Sequence, residues 1–235
     1  MGGIFMSKII YQDHLGEQTF YVRHLAADDL EEIMEVQQKV IDALPNKELL
    51  QPLTEEEFLT ILTGGGIMLG AFVEDGLIAF RALLIPELDD EGLGADIGLA
   101  KEEDLRRVMY LEITNVLPTY RGYGLQKQLG NMIMKEIDIS RFDYVLSTVM
   151  PYNIPSLKDK FYQGMHIEKL KDKYGGKLRY IFVKYVNKEL ELEDKPILLA
   201  MGDYKAQQTL LNQGYIGIAL HEKDNDWFVE FRKLK

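Results

Sequence analysis

The 235-residue chain contains no cysteine. That absence excludes disulfide staples, thiolate metal sites and a cysteine nucleophile together. Histidine is scarce as well: His14, His24, His166 and His221 are scattered and never stand at i, i+4 spacing, so no metal site is expected. No apolar run reaches the roughly 18 residues of a membrane-crossing helix. The first ten residues hold one lysine, Lys8, and no apolar h-region, so a signal peptide is not expected and a cytoplasmic chain is. Positive charge is outweighed: 27 Lys and Arg against 38 Asp and Glu leave a net -11. That is the wrong sign for a nucleic-acid footprint and mildly favours a cationic substrate.

What is present is ordinary globular composition, 46% hydrophobic and 28% charged, enough for one sizeable core or one domain with an appendage. Residues 20 to 25 read as a strand, and 26 to 44 as a helix with Asp28 as its cap and Glu31 three residues on. Thr54 and Glu57 form a second capping-box pattern. Apolar segments 67 to 73 and 77 to 85 flank Glu74-Asp75-Gly76, a hairpin signal. The glycines Gly64 to Gly66 lack a following Lys-Ser and lead into a strand, so they read as a loop and not a phosphate cradle. An acidic, glycine-containing loop from Glu87 to Asp104 precedes an apolar strand at 108 to 118, which proline ends.

Past that strand, Tyr120-Arg121-Gly122-Tyr123-Gly124 leads directly into a helix over 125 to 137, with Leu125, Leu129, Met132, Ile133 and Ile137 on one face. Glycines let the backbone approach a ligand closely, and a helix start directs unpaired amides and a positive dipole end forward, so an anion is the natural guest. A dinucleotide turn would need glycine where Lys127 stands, and a nucleotide P-loop would need Gly-Lys-Ser/Thr. Neither is present.

The stretch Val116, Pro118, Arg121 and Gly124 resembles the coenzyme A diphosphate turn of the GNAT acetyltransferases, Arg/Gln-x-x-Gly-x-Gly/Ala after a strand ending Val-x-Pro, with Gln126 where glycine or alanine is usual. The likeness runs over roughly residues 20 to 186 in element order, and includes Asn153 and Gly164-Met165. It implies an α/β GNAT-type acyl-CoA N-acyltransferase fold, a mixed central sheet flanked by helices, in a domain of residues 1–186. A C-terminal β-α-β-β extension would occupy 187–235. The implied activity is transfer of an acetyl or small acyl group from acetyl-CoA, as co-substrate and without a metal, to a small-molecule or peptide amine. No nucleic acid or membrane partner is expected, and a homodimer is open.

By the same resemblance, the backbone at Val116 and Leu117 would pair with pantetheine amides, and Arg121, Gly122, Tyr123, Gly124, Leu125 and Gln126 would surround the diphosphate. Glu112, a carboxylate in an apolar strand, is the expected general base or a structural ion-pair partner. Tyr162 is the expected general acid for the thiolate or a packing residue, sitting two residues before Gly164 with Lys160 or Phe161 in the family's usual place. Asn153 would bond the pantetheine arm, cap its helix, or do both. A base-less coenzyme A-binding regulatory module and an interaction protein built on 187–235 stay open as alternatives.

The extension also echoes the segment before it: Asn153, Ser156, Gln163, Gly164 and Met165 align at an offset of fifty with Asp203, Ala206, Gln213, Gly214 and Tyr215. Such a match fits either an internal duplication or the common look of a helix leading through glycine into a strand.

Overall fold

A computed structural model describes residues 8–47, 50–88 and 92–235. The opening segment up to Ser7 and positions 89–91 of the acidic loop lie outside the described residues. Contacts divide the chain into two compact units, one from the N-terminus to Ile85 with Leu111–Ile137, the other Pro86–Tyr110 with Asp138–Lys235.

In the first unit, strands β1 (Ile9–Leu15), β2 (Gln18–His24), β3 (Gly66–Val73) and β4 (Gly76–Leu84) pair antiparallel in sequence order. The later part of β5 (Val108–Val116) lies beside β4. Strand β1 had no signal in the sequence, because IIYQDHL exposes most of its residues and shows no alternation. Helices α1 (Leu30–Asp42) and α2 (Glu55–Thr60) cover the sheet through a cluster that includes Ile33, Val36, Phe58, Met68, Phe80 and Ile113. Burying each such side chain contributes about 1.5–3 kcal/mol. The buried Gln37 fixes the link between the two helices, its Nε2 donating to Leu53 O at 2.8 Å and its Oε1 accepting from Leu53 N at 2.9 Å.

Two local expectations divide at this point. The Thr54–Glu57 capping box forms, with Thr54 Oγ1 accepting from Glu57 N at 3.3 Å and the Glu57 carboxylate accepting from Thr54 N at 2.7 Å. Asp28 caps nothing among the described hydrogen bonds. The neighbouring Asp29 accepts from Ala26 N at 2.8 Å and binds Arg23 through both guanidinium nitrogens, because a 3-10 turn at Ala27–Asp29 precedes α1 and shifts the helix start by one residue. The glycine run ends in β3, where a Cβ at Gly66 would lie 2.1 Å from Leu83 O, so close backbone approach explains that glycine.

In the second unit, Val108–Tyr110 of β5 pair in parallel with β6 (Tyr144–Val149), which makes the sheet mixed. Antiparallel partners follow in the order β6, β8 (Lys177–Tyr185), β7 (His166–Lys173), β10 (Tyr215–Lys223), β11 (Asp226–Lys233), β9 (Ile197–Ala200). The expected acidic loop contains two helical turns, α3 (Leu93–Asp96) and α4 (Glu102–Leu105), too short to register as periodicity. Helices α6 (Ile154–Tyr162) and α7 (Tyr204–Asn212) complete the unit.

Within this unit the offset of fifty recurs in the helices and in β7 and β10, and becomes forty-nine at the facing strands β8 and β11. Both helices have nine residues, and their N-caps Asn153 and Asp203 share ψ 69. The register Ile167↔Phe182 has its counterpart in Gly217↔Phe231, and each pair is followed by a register shift, between Ile167/Lys169 and between Gly217/Ala219. The strand order reads the same from either end once β6, β8, β7 are matched with β9, β11, β10. Equivalent residues meet at the middle, since β7 and β10 pair antiparallel through Ile167↔Gly217. Gly217 permits that approach, as a Cβ there would sit 3.1 Å from Ile167 Cβ and from Val229 Cγ1. The charged stretch 187–195 carries the bridge Leu192↔Leu234 beside the closing strand.

Candidate active site

The site grows from β5 and the turn that follows it. Along β5, Leu111, Ile113 and Asn115 are buried while Glu112, Thr114 and Val116 are partly exposed, as a period of two requires. Leu117 N donates to Ile78 O at 2.9 Å, and Leu117 O accepts from Tyr120 N at 2.9 Å, so the chain itself already engages both backbone groups of Leu117. Proline opens the 3-10 turn Pro118–Tyr120, which ends β5 and leads to Arg121.

Helix α5 (Leu125–Ile133) then starts at Gly124, whose φ of 78 is left-handed, two residues after Gly122 at φ 89. Other side chains are strained there, and glycine leaves open space, with nothing within 4 Å of a Cβ built at either position. No side chain caps α5 and no acid stands in its first turn, whereas α2 has both a side-chain cap and three glutamates. From Glu112 to Glu136 the chain has no acidic residue between, while Arg121, Lys127 and Lys135 fall inside, in a protein of net charge -11. The positive end of α5 therefore faces an exposed surface of Arg121, Gly122, Tyr123 and Gly124 with no negative group of its own. Leu125 is buried and anchors the helix, and Gln126 is partly buried.

Glu112 is partly buried in the apolar strand, and burial, followed by the nearby Glu57 carboxylate, pushes its carboxyl up to about 7. Glu57 is held in its capping box, so its charge is fixed in place. Two residues along β5 lie buried polar atoms without protein partners, Thr114 Oγ1 and both polar atoms of Asn115. Sequence reasoning passed over Thr114 and Asn115, and also Arg81, a fully buried arginine inside the apolar run of β4 that donates from Nη1 to Gln126 O at 3.0 Å. An arginine between Phe80 and Ala82 was the available signal.

Asn153 and Tyr162 belong to the second unit. Asn153 Oδ1 accepts from Ser156 N at 3.4 Å as the cap of α6, and Asp203 caps α7 in the same way from Ala206 N at 3.1 Å. Tyr162 is the last residue of α6 and 49% exposed. Of the two residues in the alternative register, Phe161 packs edge-on against Phe182 and Lys160 is buried beside Asp159. Among the described residues no group of three His, Asp or Glu could hold a metal ion, and no helix is long and apolar enough to cross a membrane.

No protein-family profile and no curated protein matches this sequence. Solved structures do match it. The ribosomal-protein-S18-alanine N-acetyltransferase of Escherichia coli aligns with TM-score 0.53 and 14% identity over 73% of this chain and 97% of its own. NAA60 of Arabidopsis thaliana, solved with acetyl-CoA, aligns with TM-score 0.53 and 22% identity over 72% and 99%. A Streptococcus pneumoniae acetyltransferase of the GNAT family gives 0.54 and 16% over 71% and 98%. With its mixed sheet and flanking helices, this chain has the fold of the GNAT acetyltransferases.

Proposed function

We propose that the chain is an N-acetyltransferase that moves an acetyl or small acyl group from acyl-CoA directly to a primary amine. The observation that carries the reading is the uncapped, acid-free start of α5 behind Gly122 and Gly124, in a fold shared with proteins solved with acetyl-CoA. Coenzyme A fits these residues: the turn is open, backbone amides from Gly122 to Gln126 lead into the helix, and Arg121 is exposed beside them. Pantetheine would run along β5 on the Val116 side, since Leu117 N–H is already taken. Asn153 would bond the arm while capping α6.

Acetyl-CoA, when bound, supplies an acyl group activated as a thioester. The chain's residues then handle protons. A protonated amine has no lone pair, and Glu112, with its carboxyl near 7, is matched to take that proton directly or through water. Tyr162 is the proposed donor to the departing thiolate sulfur. The acceptor is a small-molecule or peptide amine; the Escherichia coli neighbour, by its name, acts on an alanine of a ribosomal protein, which supports a peptide amine as the first class to screen.

Calorimetric titration with acetyl-CoA and CoA, wild type against Gly124→Glu, tests the reading. Binding in wild type and its loss in the variant supports it; no binding in wild type removes it. Binding without turnover on any amine, unchanged in Glu112→Gln, would instead mark a coenzyme A-binding module.

A further inference from the structure

The first turn of α5 is tied to the sheet by a residue outside every motif. Arg81 is fully buried in the middle of β4, and its Nη1 donates to the carbonyl of Gln126 at 3.0 Å, 45 positions along the chain. Phe80 and Ala82 join the cluster under α1 and α2, so the alternation of a strand turns Arg81 to the opposite face, where α5 packs. A guanidinium in an apolar strand is costly to bury unless it is hydrogen-bonded, and its rigid fork makes the bond directional. Gln126 is the second residue of α5, within the group of amides that the phosphate reading invokes. Gly122 and Gly124 give the turn open space and bring no side chain of their own to brace it, which leaves that task to contacts from outside the turn.

We infer that Arg81 is a positioning residue for the phosphate turn. By holding the Gln126 carbonyl to β4 it fixes the first turn of α5 and so the aim of the amides from Gly122 to Gln126 at a diphosphate. The inference rests on the reading of this turn as the coenzyme A site. It predicts a selective defect: loss of Arg81 weakens ligands that carry the diphosphate and leaves the pantetheine end alone.

The test compares full-length wild type, Arg81→Met and Arg81→Lys for affinity to CoA and to pantetheine, for steady-state kinetics with acetyl-CoA, and for amide hydrogen exchange over residues 122–126. Arg81→Met is expected to bind CoA about tenfold more weakly, with pantetheine affinity unchanged. Its KM for acetyl-CoA should rise by a similar factor at constant kcat, and exchange in the turn should be faster. Arg81→Lys should recover part of each effect. Unchanged CoA affinity in Arg81→Met overturns the inference, and so does an equal loss for CoA and pantetheine, which is what general damage would produce. Should Arg81→Met fail to fold, Arg81→Lys decides: weaker CoA with unchanged pantetheine supports the inference, and wild-type behaviour sinks it. Wild type that binds no CoA removes the functional reading, and exchange in the turn then tests the brace by itself.

Discussion

Replacing Glu112 with glutamine should make the protein more stable at high pH than it is now. The carboxyl stands at about 7 against an ordinary 4.5, because it is buried in an apolar strand and faces the Glu57 charge. Below pH 4.5 it is protonated in both folded and unfolded chains and contributes no pH dependence. Between 4.5 and 7 the unfolded chain ionises first, the folded state binds more protons, and stability falls as pH rises. Above 7 the full contribution, roughly 3 kcal/mol for a carboxyl moved from 4.5 to about 7, has been lost. Glutamine in the same place has no proton to lose. Urea unfolding of wild type and Glu112→Gln at pH 4.5, 6 and 8 measures the gap, since other titrating groups cancel between the two proteins. The expected result is near parity at pH 4.5 and a gap in favour of the variant of up to about 3 kcal/mol at pH 8. Two curves that stay parallel across that range would refute the reasoning, because they would mean that Glu112 ionises as freely in the fold as outside it. Under the proposed function, acyl transfer runs the other way, rising through pH 7 as Glu112 becomes a base.

Glu57→Gln keeps a side chain that can complete the Thr54 capping box but removes the charge, so the acid limb of the rate profile should move to lower pH while thermal stability changes little; an unmoved limb would contradict it. Gly66→Ala places a methyl 2.1 Å from a backbone oxygen and should cost at least about 2 kcal/mol, or abolish folding, in a denaturation assay. Asn153→Ala and Asp203→Ala should each lower stability by about 1 kcal/mol as lost helix caps. Of the two, only Asn153→Ala is expected to raise KM for the acyl donor, and equal kinetic effects would argue against a ligand role for Asn153.

The turn after β5 was readable in the sequence because several signals coincide there. Val116, Pro118, Arg121 and Gly124 combine a strand end, a breaker and a left-handed turn before an amphipathic helix, and each constraint is local. Thr54 and Glu57 were readable for the same reason. What stayed hidden depends on distant partners. Arg81 looks like an interruption of a strand until Gln126 is folded over it, and Glu112 gains its raised carboxyl only from burial and from Glu57 on another element. Strand β1 was invisible because an exposed edge needs no apolar alternation, and Asp29 rather than Asp28 works at the start of α1 because Arg23 on β2 claims it.

The pairing of β7 with its own counterpart β10 has a consequence for how the chain behaves in a crowded solution. A sheet that ended at β7 would offer a strand of eight residues with its hydrogen-bonding row open, the kind of template on which other chains add. Here Ile167 of that strand pairs with Gly217 of β10, and the outward order from there closes on β9, a strand of only four residues preceded by Glu193, Asp194 and Lys195. The sheet of this unit therefore closes on a short strand flanked by charge instead of a strand of eight residues, the kind of edge on which strand addition is disfavoured.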